Sequence, residues 1–332
     1  MKAMVFAAGF GARLRPLTLS LPKPLFPLLG RPVMEHLLLA LAGQGIREAA
    51  VNLHHLPGLI KDHFGDGENL GLTLHYSHEP AILGTAGGLL AAQRFLGDSP
   101  FLVLNSDIVT AIDFQRLLAF HRERRAALTL VLCDRPGGGH DPIEVDAQGR
   151  VVHLTGASSR HIPEITSRFT FTGIQVVDPL IFDRIPVGRF CGTTADVYPE
   201  MIDDGLPVHA YIHDGYWQDM GTLHQYLQVH KDLLDGKFNL PSALPAAAFP
   251  EDQTTAPVWL GTDCRVAPGA RIGPYAVLGK GCVLEADCVV ENAVLWDHVH
   301  VGRGASIRQS VVAQGVRVEA GQTVTNASMV RA

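Results

Sequence analysis

Ala7-Ala8-Gly9-Phe10-Gly11-Ala12-Arg13-Leu14-Arg15-Pro16-Leu17-Thr18, followed by Pro22-Lys23-Pro24-Leu25, is the stretch that decides how this chain folds. Lys2 to Ala8 predicts a strand that runs straight into Gly9 and Gly11. Glycines after a strand let the backbone approach an anion and present its N–H groups, the arrangement that cradles phosphates. Arg13 and Lys23 add the charge that a polyphosphate needs. Pro22 and Pro24 fix the backbone on both sides of Lys23, a constraint that a merely solvated lysine does not need. The loop is neither Gly-x-Gly-x-x-Gly nor the Gly-Lys-Ser/Thr ending of a P-loop.

The 332 residues are enough for two domains, and a hydrophobic fraction of 47% supports a substantial core. A net charge of −6 lacks the basic footprint of a nucleic-acid or anionic-membrane partner. The longest apolar stretch, Leu37 to Ala42, is too short to cross a bilayer. Five cysteines without a Cys-x-x-Cys pair, and a strand where a signal peptide would lie, lead us to expect reduced thiols in a cytoplasmic protein.

Residues 1 to about 235 alternate strand and helix. Strand-like runs are Ala3–Ala8, Ala49–Leu53, Leu72–Tyr76, Phe101–Leu104 and Ala127–Cys133; helical patterns include Val33–Leu41 and Asp113–Arg125. This alternation predicts an α/β, Rossmann-like, mostly parallel mixed sheet. Ligands of such sheets bind beyond the carboxyl ends of the strands, which puts Gly9 and Asn105-Ser106-Asp107 on one rim. From 237 to 257, Pro241, Pro245, Pro250 and Pro257 mark a linker. From Val258 the chain repeats every six residues: Leu260, Val266, Ile272, Leu278, Leu284 and Val290 form an aliphatic series. Cys264, Ala270, Ala276, Cys282 and Cys288 form a small-residue series beside it. The register slips by one before Leu295, Val301 and Ile307, and again before Val312, Val318 and Val324. An aliphatic/small hexapeptide repeat predicts a left-handed parallel β-helix, with three of the cysteines as small apolar fillers. The expected organisation is therefore 1–236, a linker at 237–257, and a β-helix at 258–330.

The run from Ala7 to Leu25 resembles the signature of the sugar-1-phosphate nucleotidyltransferases. Tyr216-Trp217-Gln218-Asp219-Met220-Gly221-Thr222 is similar to the same family's Trp-x-Asp-Ile-Gly motif. The resemblance implies an enzyme in which a sugar-1-phosphate oxygen attacks the α-phosphorus of an NTP and pyrophosphate leaves. Such a reaction needs in-line positioning and charge stabilisation rather than a protein nucleophile. It implies Arg13 on the β- and γ-phosphates, Lys23 on the α-phosphate, and Asp107 with Asp219 holding Mg²⁺. The nucleotide is expected on Ala8, Gly9, Gly11, Glu79, Gly84 and Thr85, and the sugar near Thr172 and Gly173 in Phe169-Thr170-Phe171-Thr172-Gly173-Ile174.

Glu79 stands where some relatives carry an amide. A carboxylate accepts two hydrogen bonds, and guanine offers adjacent N1–H and N2–H donors, which leans towards GTP. Leu83-Gly84-Thr85-Ala86-Gly87, Asn105-Ser106-Asp107 and Phe120-His121 resemble mannose-1-phosphate guanylyltransferases. The sugar end departs from the family. Where many relatives have a Glu-Lys-Pro lysine, this chain reads His153-Leu154-Thr155-Gly156, and its Phe-Thr-Gly strand resembles N-acetylmuramate-1-phosphate uridylyltransferases. Uridylyl or thymidylyl transfer to another sugar-1-phosphate, such as glucose-1-phosphate, is the alternative within the family. A non-catalytic nucleotide-sugar-binding regulator is the alternative outside it. Acyl transfer by the β-helix is disfavoured, because no long insertion interrupts the hexapeptides. Relatives with such a β-helix commonly self-associate, so a homo-oligomer, most simply a dimer, is expected.

Overall fold

The structure, a computed structural model, describes residues 1–134, 142–154, 167–248 and 251–331. It forms two compact units that do not follow chain order: Met1–Gly9 with Leu37–Trp217, and Phe10–His36 with Gln218–Ala332. The sequence assigns residues 1–236 to one domain. By contacts, Phe10–His36 and the chain from Gln218 onward group instead with the hexapeptide repeat.

The first unit is built on a nine-stranded sheet. Its strands are β1 (Lys2–Phe6), β2 (Glu48–Leu53), β3 (Thr73–His78), β4 (Phe101–Asn105), β5 (Leu128–Cys133), β6 (Ile143–Val145), β7 (Val151–His153), β8 (Ser167–Val177) and β9 (Val208–Ile212). Along the main sheet the order is β9-β5-β8-β4-β1-β2-β3, with β6 and β7 continuing from the start of β8. β1, β2, β3 and β4 are mutually parallel, whereas β8 runs antiparallel to β4 and β5. Ala3 to Val5, Ala49 to Val51 and Leu102 to Leu104 are fully buried. A strand covered on both faces reads as a continuous apolar run, which is why these segments are legible in the sequence without alternation. Helices α1 (Val33–Gly43), α2 (Pro57–Phe64), α3 (Gly84–Ala91), α4 (Phe114–Glu123) and α5 (Tyr198–Asp203) lie between the strands in the chain. Asp113 caps α4 by accepting from Arg116 N at 2.9 Å, so the helix begins one residue inside the expected span.

β1 pairs with β2 on one side and β4 on the other. The chain therefore leaves β1 in one direction and returns on the opposite side. Such a reversal opens a crevice at the carboxyl ends of the two strands. Ala7, Glu79 and Ser106 all leave from this rim, and Ser106 N donates to Phe6 O at 3.1 Å.

In the second unit the repeat forms three parallel sheets of five, four and four strands, a left-handed β-helix. Val258 pairs with Ala276 eighteen residues on, but Ala276 pairs with Ala293 only seventeen on. The register slip seen in the sequence is thus one residue missing from one corner of every later coil. In the first coil Gly273-Pro274-Tyr275 makes that corner; afterwards Glu291-Asn292, Arg308-Gln309 and Thr325-Asn326 do. Each corner turns through a left-handed residue, at Asp263, Gly281, His298 and Gly315, at Gly269, Asp287, Gly304 and Gly321, and at Tyr275, Asn292, Gln309 and Asn326. Of the residues that follow these turns, Ala270, Ala276, Cys282, Cys288, Ala293 and Ala305 are buried, while Cys264 is half-buried.

Helix α6 (Leu223–Leu234) belongs to this unit. Phe26 lies edge-on to Trp296 at 4.9 Å and to Tyr226 at 5.6 Å, and Trp296 Nε1 donates to the Tyr226 hydroxyl at 3.1 Å. The Tyr226 hydroxyl donates in turn to Pro27 O. The proline-punctuated stretch expected as a linker is docked rather than free: Leu244 N donates to Leu29 O at 3.2 Å, and Ala247 N to Leu260 O at 2.7 Å. Trp259 Nε1 donates to Leu244 O at 3.1 Å.

Candidate active site

In the first unit, the loop after β1 and the loop after β3 are joined by one side chain. Asn52, near the end of β2, is buried and accepts from Ala7 N at 2.8 Å through Oδ1. Its Nδ2 donates to Glu79 Oε1 at 2.7 Å. The other oxygen, Glu79 Oε2, accepts from Leu83 N at 3.1 Å, and Glu79 is 1% exposed. The sequence expects this carboxylate to meet the base with both oxygens. In the structure each oxygen already accepts one hydrogen bond from within the protein, from Asn52 and from Leu83, and the carboxylate closes its own loop. Gly88 makes this possible, since a Cβ there would stand 2.9 Å from both Asn52 Nδ2 and Glu79 Oε1. Pro80 and Ala81, at the loop tip, are exposed.

Gly84 opens α3 at φ +79°, and a Cβ there would run into the Cys191 carbonyl. The chain at Cys191 is stitched to the loop: Cys191 N donates to Leu83 O at 2.9 Å, and Ala86 N donates to Cys191 O at 3.0 Å. Burial raises the Cys191 thiol pKa, helped by Asp196, which disfavours its thiolate. Thr85, expected on the nucleotide, turns its hydroxyl to Thr193, accepting from Thr193 N at 2.8 Å. Of the expected nucleotide residues in this unit, Ala8 is buried at the rim. Among the described residues, and apart from its chain neighbours, no heavy atom lies within 4 Å of where a Gly9 Cβ would stand.

Thr172 and Gly173 sit in a bulge of β8. Phe171 pairs with Leu132 but Gln175 pairs with Leu130, so extra residues on β8 face Val131. Thr172 fastens the bulge by donating from Oγ1 to Val131 O at 2.8 Å and accepting Trp217 Nε1 on its carbonyl at 2.9 Å. Gly173 has φ +77°, and a Cβ on it would collide with the Asn105 amide. Asn105 ends β4 two residues before Asp107, which is half-buried at the rim. The Glu-Lys-Pro question falls on His153-Leu154-Thr155-Gly156, whose last two residues lie outside the described ones.

In the second unit, Gly11 is left-handed at φ +60° and begins a run of short 3-10 turns at Ala12–Leu14, Leu17–Leu19 and Lys23–Leu25. Thr18 folds back so that its hydroxyl donates to Gly11 O at 3.1 Å. A Cβ on Gly11 would stand 2.8 Å from Thr18 Cγ2 and 3.6 Å from Lys23 Cβ, so the loop closes tightly enough to bring Lys23 back beside Gly11. Arg13 is exposed and reaches Gly221. A Cβ on Gly221 would stand 2.8 Å from Arg13 Nη2, 3.0 Å from Asp219 Oδ2 and 3.0 Å from Gln225 Oε1. Two expected residues far apart in sequence, Arg13 and Asp219, thus flank one glycine. Asp219 is oriented by Gln225, whose Nε2 donates to Oδ1 at 2.6 Å, and Gln225 N is capped by Thr222 Oγ1 at 3.2 Å. Gln225 and Asn52 are site residues that the sequence reading missed. Gln225 follows Asp219 closely enough that its spacing from it was a usable signal.

Comparison with known proteins gives the family. The nucleotidyl transferase family model matches residues 2–236, and the GMPPB C-terminal domain model matches residues 254–331. A UTP–glucose-1-phosphate uridylyltransferase from Synechocystis is 31% identical, covering 94% of this chain and 87% of that protein. A mannose-1-phosphate guanylyltransferase from Mycobacterium tuberculosis is 32% identical, covering 96% of this chain and 81% of that protein. A mannose-1-phosphate guanyltransferase from Schizosaccharomyces pombe is 34% identical, with 68% and 62% covered. A solved putative glucose-1-phosphate thymidylyltransferase from Bacillus anthracis shares the fold, with a TM-score of 0.61 at 20% identity over 72% of this chain and 97% of that one. The chain belongs to the nucleotidyl transferase family, as a sugar-1-phosphate nucleotidyltransferase with a GMPPB-type C-terminal β-helix.

Proposed function

We propose that this chain makes a GDP-sugar from GTP and mannose-1-phosphate. A non-bridging oxygen of the sugar phosphate attacks the α-phosphorus of GTP. The bond from that phosphorus to the β-phosphoryl oxygen breaks, and pyrophosphate departs with no proton transferred. The observation that carries the reaction is the meeting of Arg13 and Asp219 at Gly221, beside a loop that folds Lys23 back onto Gly11. Arg13 holds the β- and γ-phosphates and stabilises the departing pyrophosphate. Lys23 acts on the charge that develops at the α-phosphorus. The C-terminal GMPPB match and the guanylyltransferase relatives favour guanine and mannose.

The residues fit Mg²⁺, which takes oxygen donors and is usually held by one or two carboxylates together with substrate phosphates. Asp219 has Oδ1 fixed by Gln225 and Oδ2 beside Gly221. Asp107 supplies a second carboxylate at a strand end. Among the described residues, no cluster of three or more His, Cys, Asp or Glu side chains offers a complete cage. When bound, the ion would neutralise phosphate charge in the transition state.

A second reading has its own support. The Synechocystis relative, similar over nearly the whole chain, carries a uridylyltransferase name, and the bonds from Asn52 and Leu83 to the Glu79 carboxylate weaken the residue-level case for guanine. Pyrophosphate release across four NTPs and several sugar-1-phosphates, with Mg²⁺ and with EDTA, separates the readings. We expect GTP with mannose-1-phosphate to have the highest kcat/KM. A UTP and glucose-1-phosphate optimum would establish the second reading. No release from any pair would leave a nucleotide-sugar-binding regulator.

A further inference from the structure

One corner of the β-helix differs from the other two. Two corners place glycine at five of their eight left-handed positions, namely 281, 315, 269, 304 and 321. The third places none there: Tyr275, Asn292, Gln309 and Asn326 have φ values of 57°, 48°, 47° and 51°. A side chain in that conformation costs roughly 1–2 kcal/mol, which asparagine offsets locally and glutamine does not. The strain at Gln309 is therefore kept for the side chain. The corner backbone needs no help from it, because Asn292 N, Gln309 N and Asn326 N each donate to the preceding coil, at Pro274 O, Glu291 O and Arg308 O. Among the described residues, none of these three amide side chains has a hydrogen-bond partner.

The three amides form one wall of a trough of about 330 Å³. Successive coils rise about 4.8 Å, so the amides stand in a row about 10 Å long. The opposite wall is α6, with His224, Gln228 and Lys231 at helical spacing and Leu223 and Leu227 between them. From 224 to 231 the helix also rises about 10 Å, so the two walls match in length. Gln228 is held by Asp232, to which its Nε2 donates at 2.8 Å, and the Lys231 ammonium lies 5.1 Å from the Tyr275 ring. Among the described residues no carboxylate lines the trough, which disfavours a cationic ligand. The lining offers donors and acceptors in a row, one imidazole, one ammonium and a small aliphatic patch. Side-chain amides match vicinal hydroxyls, which both donate and accept, and leucines match the C–H face of a pyranose.

We propose that this trough is a saccharide-binding site sized for one or two pyranose rings. It shares no residue with the Arg13–Asp219 site and does not depend on which base or sugar the enzyme uses. A free sugar and a sugar phosphate present the same hydroxyls, so the probes must separate them.

The test is saturation-transfer NMR on the full chain with methyl α-mannoside, methyl α-glucoside and sucrose, each with and without inorganic phosphate as competitor. It is run on wild type, on Asn292→Gly/Gln309→Gly and on His224→Ala. Glycine suits both left-handed positions, so the double variant keeps the corner, and thermal unfolding checks this. We expect transfer to at least one neutral saccharide, at least tenfold weaker binding in the double variant, weaker binding in His224→Ala, and an unchanged KM for sugar-1-phosphate in both. Several results would each overturn the site. They are transfer equal in wild type and variants, transfer that millimolar inorganic phosphate abolishes, no transfer to any saccharide, or a wild-type dimer by light scattering that the double variant dissociates. The last would mean that a second copy of the chain fills the trough.

Discussion

The Asn52 amide donates to the Glu79 carboxylate at 2.7 Å, and both side chains are buried. Through its other end Asn52 accepts from Ala7 N, so the backbone that begins the phosphate loop and the acid that begins the base loop are set by a single amide. Asn52→Ala would leave the Ala7 N–H and one Glu79 oxygen without partners, each worth about 1–3 kcal/mol when buried. We expect the KM for NTP to rise by roughly tenfold or more, with a smaller change in kcat, in steady-state pyrophosphate release. Glu79→Gln places an amide donor against either Asn52 Nδ2 or Leu83 N. It should raise the KM for every NTP while leaving their order of preference intact. A reversed order, with UTP overtaking GTP, would return Glu79 to base recognition.

What the sequence showed here follows from locality. The phosphate loop, the strand ends and the six-residue repeat are each written within a few neighbouring residues, and even the seventeen-residue coil is visible as a one-residue slip before Leu295. Asn52 was not legible because it sits in the apolar run Ala49-Ala50-Val51-Asn52-Leu53, where strand pattern alone says nothing about which loop a buried amide joins. The partners of Glu79 were not legible either, because a charged residue in a loop does not show in sequence which buried groups it bonds. The docking of Phe26 on Trp296 joins residues 270 positions apart, and nothing local encodes that. For the same reason the proline-rich stretch after Lys237 reads as a linker although Leu244 and Ala247 are hydrogen-bonded in place.

Asp107→Asn and Asp219→Asn should fold normally and lose nearly all turnover. If the carboxylates contribute ~4 kcal/mol to the transition state by holding Mg²⁺, the loss is about a thousandfold. The Asp219 variant carries an additional signature, because an amide at 219 can turn its nitrogen towards Gln225 Nε2 and lose the bond that orients it. The magnesium concentration for half-maximal activity should rise in both variants. Near wild-type rates in both, with circular dichroism showing intact folds, would dismiss these residues as the metal carboxylates.

Acid should destabilise the first unit through His121. This residue is 3% exposed on α4, with Nδ1 against Thr129 Oγ1 at 2.9 Å, and burial lowers its pKa to about 4 from 6.5. The unfolded chain therefore binds a proton near pH 6.5 that the folded chain refuses until about pH 4. The stability from the neutral, buried form is fully present above pH 6.5 and is lost as pH falls towards 4. The loss for one such histidine is on the order of 3 kcal/mol, at the upper end. His121→Gln keeps a partner for Thr129 and removes the titration. Denaturant unfolding from pH 7 to 4 should show a shallower decline in this variant than in wild type. Parallel curves would assign the acid sensitivity elsewhere, first to His230, whose burial lowers its pKa to about 3.

Gly221→Ala separates catalysis from folding most cleanly. Gly221 does not occupy the left-handed region, so alanine brings no backbone strain there. The added methyl would stand 2.8 Å from Arg13 Nη2 and 3.0 Å from both Asp219 Oδ2 and Gln225 Oε1. All three are the far ends of flexible side chains, and each can retreat by a fraction of an ångström at little expense to stability. The chemistry is less forgiving, because a displacement of about 1 Å in a positioned group can cost a hundredfold in rate. We expect kcat/KM to fall by roughly 10- to 100-fold while the unfolding midpoint moves by no more than about 2 °C. Magnesium titration should show a weaker response, as Asp219 is one of the groups displaced. A variant that unfolds early would show that the glycine is needed for the fold of the turn. One with unchanged kinetics would show that Arg13 and Asp219 do not act from the positions they hold around Gly221.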